Sequence, residues 1–157
     1  MYVLVLPSNT APNTAPVANA GPDQTVVVGP TVTLDGSHST DVDGDALQYQ
    51  WTLVGRPSGS QAALSDPTLV LPTFVADRPG IYAVQLIVND GKMNSAPDTV
   101  TITTTNTLPV ANAGPDQTVF VGTTVHLDGS QSSDVDGDAL LFVWSVSRSP
   151  SGSRATL

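Results

Sequence analysis

The sequence predicts an all-β chain built from tandem β-sandwich modules, and three observations support this fold class. The 157 residues contain 14 acidic side chains, and all of them are Asp, so Glu, which favours helices, is missing. Apolar and polar residues alternate with a period of two through several segments. A long motif returns 93 positions further along the chain, which indicates two copies of one structural unit.

The repeat defines the expected domains. PVANAGPDQTV at residues 16–26 returns at 109–119, LDGS, DVDGDAL and PSGS recur at the same offset, and roughly two thirds of the overlapping positions are identical. Leu157 matches Leu64, so the second copy has no counterpart of residues 65–106. We therefore expect a terminal strand at 1–8, a linker at 9–15, a complete module at 16–105, a linker at 106–108 and a truncated module at 109–157.

Strands of the first copy can be placed in order. Segments 25–28 and 31–34 flank a Gly-Pro turn, and from residue 47 to 53 every second side chain is apolar. In the segment 81–88, large apolar residues at every second position (Tyr82, Val84, Leu86 and Val88) alternate with Ile81, Ala83, Gln85 and Ile87, and an Asp-Gly turn then leads to a last strand at 99–103. This spacing fits an immunoglobulin-like sandwich. Trp51, repeated as Trp144, is expected to anchor the core by packing across to the strand that contains Tyr82.

Charge excludes two classes of partner. The net charge is −9, and the five basic residues are scattered singly, so the chain offers no cationic groove for nucleic acid. The same charge repels anionic membranes, and the apolar run from Tyr2 to Leu6 is too short to insert into a bilayer. No nucleic acid and no membrane insertion are therefore expected. The chain contains no Cys, so it has no disulfide framework.

The ordered motifs resemble those of a known family. PVANAGPDQTV, LDGSxSxDxDGD, YxW and PGxYxVxLxVxDG are similar to PKD (polycystic kidney disease) domains, with the departure that residues 52–56 replace the segment DFGDG that is common after the Trp. The variant looks like the PKD-like repeats of large bacterial or archaeal surface proteins. The resemblance implies an extracellular, cell-surface module that acts as a spacer, an adhesive unit or an accessory domain of a secreted hydrolase.

Two acidic turns are the strongest candidate sites. Closely spaced carboxylates repel one another unless a cation lies among them, and Ca²⁺ prefers oxygen ligands. We expect calcium sites at Asp41, Asp43, Asp45, Asp134, Asp136 and Asp138. A solvated turn, in which Asp and Gly satisfy the backbone, is the alternative. Similarity to calcium-binding PKD domains of bacterial collagenases favours calcium and implies that Asn13 or Asn106 of the linkers contributes an oxygen.

Other polar residues predict no chemistry. Asp23 and Asp116 are expected to close turns, as are Asp35 and Asp128. His38 and His126 occupy non-equivalent positions without a second His or Cys nearby, so we expect no zinc site. No set of nucleophile, base and orienting group can be assembled, and we predict that the chain is not an enzyme.

The expected partners are neighbouring modules, identical subunits, or a glycan or protein ligand. Leu141 and Val143 replace the outward Gln48 and Gln50 in the second copy, which indicates either a contact surface or neutral drift. The segment Tyr2 to Leu6 resembles a module's final strand and could pair with a neighbouring chain, building a surface filament. The leading prediction is a structural or adhesive repeat, and the alternative is an accessory domain of a secreted hydrolase.

Overall fold

A computed structural model of the chain describes residues 12–157. The expected strand at 1–8, with the strand donor Tyr2 to Leu6, and the first part of the 9–15 linker lie outside the described residues. The chain divides into two compact units, Met1–Asn106 and Thr107–Leu157. Every strand among the described residues belongs to the first unit.

The first unit contains six strands. They are β1 (Gln24–Val27), β2 (Thr31–Thr33), β3 (Gln48–Gly55), β4 (Thr73–Val75), β5 (Ile81–Asn89) and β6 (Asp98–Thr105). Residues 12–157 form no helix, so this part of the chain has no helical segment that could cross a membrane. The all-β prediction is confirmed.

Two sheets enclose one core. The larger sheet has the order β1-β6-β5-β3, in which β1 runs parallel to β6 and the other pairs are antiparallel. The smaller sheet pairs β2 with β4 in antiparallel fashion. Side chains from both sheets form a single buried cluster, as in an immunoglobulin-like sandwich.

Every second side chain along the central strands is buried in the core, as expected from the sequence. In β5, Tyr82, Val84, Leu86 and Val88 are completely buried, and the residues between them face outward. Trp51 in the middle of β3 is also buried, and its indole nitrogen donates a hydrogen bond to the carbonyl oxygen of Leu69 at 3.0 Å. A buried indole needs such a partner, because an unpaired N–H is costly away from water.

The position of Trp51 corrects one expectation. Trp51 pairs with Leu86 of β5, so the two residues are neighbours in the same sheet and do not face each other across the core. The opposite side of the core comes from the smaller sheet, through Val32 of β2 and Phe74 of β4. The expected contact between Trp51 and the Tyr82 strand is therefore a lateral one.

Strand boundaries differ slightly from the expected ones. The first two strands end one residue earlier than predicted and lie in different sheets, so the Gly29-Pro30 turn carries the chain across the sandwich. The sequence did not indicate β4, because three residues are too few to show an alternating pattern. The last strand is longer than expected at both ends, since pairing with β5 and β1 extends it.

The second unit contains no strand among residues 107–157. Residues 107–157 correspond to residues 14–64 of the first unit, a stretch that ends before β4. Trp144 is 38% exposed, whereas Trp51 is 1% exposed. A bridge between Val110 and Ser133 nevertheless repeats the bridge between Val17 and Thr40 of the first unit.

Candidate functional site: two acidic turns and an uncharged sheet face

The acidic turn of the first unit is organised by its own backbone. One carboxylate oxygen of Asp41, Oδ1, accepts hydrogen bonds from the amides of Asp43 and Asp45 at 2.8 and 3.2 Å. Gly44 adopts a φ of 78°, a left-handed conformation that favours glycine and allows the chain to close the turn. Asp43 Oδ2 accepts a hydrogen bond from the amide of Thr14 in the entering linker at 2.7 Å. The turn therefore also holds the linker.

A lysine from a distant hairpin meets this turn. Lys92 Nζ lies 2.6 Å from Asp45 Oδ2 and 3.0 Å from Asn13 Oδ1, so the ammonium joins the turn to the linker. Asn13 Nδ2 in turn donates to Asp90 Oδ2 at 2.8 Å. The hydrogen bond from Lys92 to Asp45, with the carboxylates of Asp90 and Asp43 nearby, raises the pKa of the Lys92 ammonium. It therefore stays charged at any physiological pH.

The lysine is the residue that the sequence analysis missed. Lys92 lies 47 residues from Asp45, and an isolated Lys in an Asp-Gly turn is typical of a solvated surface residue. One feature of the sequence could have indicated this role of Lys92: basic residues are scarce, with only five beside 14 acidic ones. Each cation in such a chain is a candidate counter-charge for an Asp cluster.

The acidic turn of the second unit has the same local geometry. Asp134 Oδ1 accepts hydrogen bonds from the amides of Asp136 and Asp138 at 2.8 and 3.4 Å. Asp136 Oδ2 accepts two hydrogen bonds from Thr107, one from its amide and one from its hydroxyl, both at 2.6 Å. Because Thr107 corresponds to Thr14 in the repeat, both turns bind the residues that enter their unit.

A calcium ion needs several oxygen ligands that converge on one point. Residues 12–157 contain no group of three or more His, Cys, Asp or Glu side chains placed to hold a metal. Two buried carboxylate oxygens in these turns, Asp41 Oδ2 and Asp136 Oδ1, have no hydrogen-bond partner. The linker oxygen expected from Asn13 contacts the Lys92 ammonium. Calcium binding therefore stays a prediction at both turns.

The remaining polar candidates make structural hydrogen bonds. Asp35 Oδ1 accepts the amide of Ser37 at 2.8 Å, which confirms a turn, and this hydrogen bonding lowers the pKa of Asp35. Asp23 instead accepts the amide of Thr101 in β6 at 2.8 Å, so it ties the start of β1 to a distant strand and does not close a local turn. His38 is exposed and lies 4.0 Å from Asp35.

A hydrogen-bond network surrounds Tyr82 at the opposite end of β5. Its hydroxyl accepts the amide of Arg78 at 2.9 Å and approaches Asp77 and the Arg78 carbonyl oxygen at 3.1 and 2.8 Å. Burial raises the pKa of the Tyr82 phenol. The carboxylate of Asp77 also accepts the hydroxyl of Ser60, and this hydrogen bond lowers the pKa of Asp77. The network fixes the loop before β5 and contains no free nucleophile.

The outer face of the larger sheet is a second feature of the first unit. Alternation and register place these side chains outward: Thr25 and Val27 on β1; Thr99, Thr101, Thr103 and Thr105 on β6; Ile81, Ala83, Gln85, Ile87 and Asn89 on β5; Gln48, Gln50 and Thr52 on β3. None of these outward residues on the four strands is charged. Ile81 is 60% exposed and Val27 is 42% exposed, so apolar groups on this face contact water.

This architecture defines the class of protein: an immunoglobulin-like β-sandwich module followed by part of a second copy. A family model described as "K319L-like, PKD domain" matches residues 20–104, and a second model described as "PKD domain" matches residues 106–147. The first match spans more than half of the chain. The chain therefore belongs to the PKD domain family, as its motifs predicted.

Similar proteins include long chains from mammals. The human "Dyslexia-associated protein KIAA0319" is 34% identical over 148 residues, and the mouse "Dyslexia-associated protein KIAA0319-like protein" is 36% identical over 150 residues. These matches cover 91% and 92% of this chain but only 14% of each relative. The chain thus spans about a seventh of the length of these two relatives.

Two solved structures match part of the chain. A nucleoside hydrolase-related hypothetical protein from Saccharophagus degradans matches with a TM-score of 0.51 and 25% identity, over 59% of this chain and 26% of that protein. The PKD domain from KIAA 1837 protein matches with a TM-score of 0.47 and 23% identity, over 70% of this chain and all of that domain. The first match shows the same sandwich within a larger protein.

Proposed function

We propose that this chain is a non-enzymatic, extracellular, adhesion-type segment whose PKD modules make protein–protein contacts through the outer face of the larger sheet. Membership of the PKD family and similarity to KIAA0319 proteins support the adhesion-type role. The observation that carries the proposal is the uncharged outer face on a strongly acidic chain. The alternative of an accessory domain beside a hydrolase has no comparable observation in its favour.

The distribution of charge selects this face. Asp98 is the only charged residue within β1 to β6, and it points inward, where its carboxylate accepts the amide of Ala20 at 2.8 Å. All other acidic residues of the described first unit lie in turns and loops. Two copies of the unit therefore repel through their turns and loops, and contact through a sheet face requires no desolvation of a charge. The four-stranded sheet offers a wider uncharged face than the two-stranded sheet. We infer that its partner is the same face of another copy.

The size of the face predicts a weak individual contact. Four strands spaced about 4.8 Å apart, with strands of up to nine residues, give an area of roughly 500 Å². A stable pairwise interface buries about 800 Å² on each partner, so a single contact is transient. Repeated modules compensate, because a second contact on the same chain forms at a high effective concentration. The tandem repeat therefore suits adhesion between arrays.

Bead aggregation tests the proposed function. The full chain is attached to beads, and clustering is compared with that of Gln85→Glu/Thr101→Glu, which places two negative charges on the outer face. The matched control is Arg78→Glu, which changes the net charge by the same amount on an exposed loop. We expect clustering by the natural chain and the control, and its loss in the double variant. Equal clustering of all three proteins would exclude the face as the adhesive surface.

Calcium binding is a second proposal, for the acidic turn of the second unit; at the first turn, the Lys92 ammonium already contacts Asp45 and the linker oxygen of Asn13. The buried, unpartnered Oδ1 of Asp136 supports it, and Asp136 is only 5% exposed. A cation beside this oxygen would offset the cost of burying it. Titration of the full chain with CaCl₂, followed by the amide NMR signal of Thr107, tests this turn, and the signal of Thr14 at the first turn is the comparison. Saturable shifts at Thr107 support the site, and an absence of shifts there excludes the proposal.

Strand donation is a further proposal from the sequence. Tyr2 to Leu6 would pair with an open edge of a neighbouring chain, and head-to-tail repetition would build a filament. Deletion of residues 1–7 and measurement of assembly by light scattering test it. Loss of assembly supports donation by this segment, whereas unchanged assembly, or a monomeric natural chain at high concentration, contradicts it.

A further inference from the structure

We infer that Lys92 serves as a built-in cation that clamps the entering linker onto the acidic turn of the first unit, so that this junction requires no metal ion. The inference does not depend on the proposed adhesive face. It concerns the charged residues of the acidic turn and the linker, and none of these lies on the outer face of the larger sheet. It depends on three elements that meet at the Lys92 ammonium: the linker, the acidic turn and the hairpin after β5.

The contacts of Lys92 place its ammonium among oxygens that a divalent cation would otherwise use. Its nitrogen contacts Asp45 Oδ2 and Asn13 Oδ1 at 2.6 and 3.0 Å, and the carboxylates of Asp90 and Asp43 add favourable electrostatic interactions. A carboxylate and an amide oxygen are also calcium ligands. An ammonium bound to both occupies that position with a charge that the chain itself carries.

The linker is bound on both sides of this ammonium. Asn13 contacts Lys92 through its side-chain oxygen and Asp90 through its side-chain nitrogen. The next residue, Thr14, donates its amide to Asp43 of the acidic turn. Without the ammonium, the carboxylates of Asp43, Asp45 and Asp90 would repel one another around the linker, and the hydrogen bond of Thr14 would open more often.

Loss of the Lys92 ammonium is expected to affect the linker locally, with little change in the stability of the whole unit. Lys92 is 58% exposed in its side chain, and exposed ion pairs contribute modestly to global stability. The appropriate readout is therefore the local opening of the linker, which amide hydrogen exchange of Thr14 reports directly. We expect Lys92→Met to accelerate this exchange by about fivefold, which is the upper range for the loss of an exposed ion pair.

The experiment compares four proteins, each as the full chain, in EDTA and in millimolar CaCl₂. Lys92→Met removes the cation, Lys92→Arg keeps the charge with a different donor geometry, and Arg78→Met removes a charge from the other end of β5. We expect fast Thr14 exchange in Lys92→Met alone, partial protection in Lys92→Arg, and identical exchange of the natural chain in EDTA and CaCl₂.

Two results would overturn the inference. One is unchanged Thr14 exchange in Lys92→Met, which would show that the ammonium does not hold the linker. The other is faster Thr14 exchange of the natural chain in EDTA, which would show that a metal ion holds the junction. Exchange of the Val84 amide in the core serves as the internal reference, because a general loss of folding would accelerate both amides.

Discussion

The two copies of the repeat share their turns but not their core. Asp41 Oδ1 and Asp134 Oδ1 accept the amide two residues later at the same distance, 2.8 Å. Trp51, in contrast, is 1% exposed and its counterpart Trp144 is 38% exposed. The same motif therefore forms the same turn in both units, whereas burial of Trp51 depends on strands that lie far from it in the sequence.

This difference separates local from long-range determinants. An Asx turn needs one Asp, a nearby amide and a residue that tolerates the backbone conformation, all within a few positions of the sequence. A sandwich core needs strands that are distant in sequence, since β3 pairs with β5 and β5 pairs with β6. Variants at matched positions of the two copies can therefore measure what the long-range contacts contribute.

The largest difference is expected for the two Trp residues. Trp51→Ala should lower the free energy of unfolding of the first unit by about 3–5 kcal/mol, because it leaves a large cavity in a closed core. Trp144→Ala should cost under about 1 kcal/mol, since its side chain already contacts water. Urea unfolding followed by the amide NMR signal of Val84 measures the first effect, and the signal of the Ser133 amide, which donates to the Val110 carbonyl in the second unit, measures the second. Gln50→Ala, on the outward side of β3, is the control and should be nearly silent.

A smaller Trp51→Ala effect than Gln50→Ala effect would contradict the register. A strand that slips by one residue exchanges its inward and outward side chains, so Gln50 would then face the core.

The strand alternation and the turn motifs made much of this fold predictable. The inward face of β3 follows from apolar residues that alternate with polar ones, and the LDGS and DVDGD turns follow from their Asp and Gly residues. Long-range geometry was not predictable in the same way. The lateral pairing of Trp51 with Leu86, the bond from Asp23 to Thr101 and the contact of Lys92 with Asp45 each join residues that no local pattern links.

The glycine of the LDGS motif, Gly36 in the first unit and Gly129 in the second, is expected to differ between the units by less than the two Trp residues do. A Cβ on Gly36 would lie 3.1 Å from both Trp51 and Tyr49, and a Cβ on Gly129 would lie 3.1 Å from Phe142. Trp51 is held in a closed core, whereas Phe142 is 54% exposed and can move aside. Gly36→Ala should therefore destabilise the first unit by about 1–3 kcal/mol, and Gly129→Ala should have little effect. Thermal unfolding of the two variants measures the difference, and equal melting temperatures would contradict it.

Tyr82 is expected to give a smaller effect, confined to the first unit. Tyr82→Phe removes the hydroxyl that accepts the Arg78 amide, and should cost about 1 kcal/mol. The pKa of the Tyr82 phenol in the folded state lies above its ordinary value of 10.0. The stability that the protonated phenol contributes is therefore present below pH 10 and is lost as the pH rises through the folded-state pKa. Urea unfolding at pH 8 and at pH 10.5 should show a steeper loss for the natural chain than for Tyr82→Phe.

The location of the contact between modules can be measured most directly by amide NMR shifts of the full chain over a series of protein concentrations. Contact through the outer face predicts progressive shifts at Ala83, Gln85 and Thr101, with the acidic turn at residues 41–45 unchanged. The same series with Gln85→Glu/Thr101→Glu should show no concentration dependence at these positions. Shifts confined to the turns and loops, or unchanged by the double substitution, would contradict an adhesive role for the uncharged face.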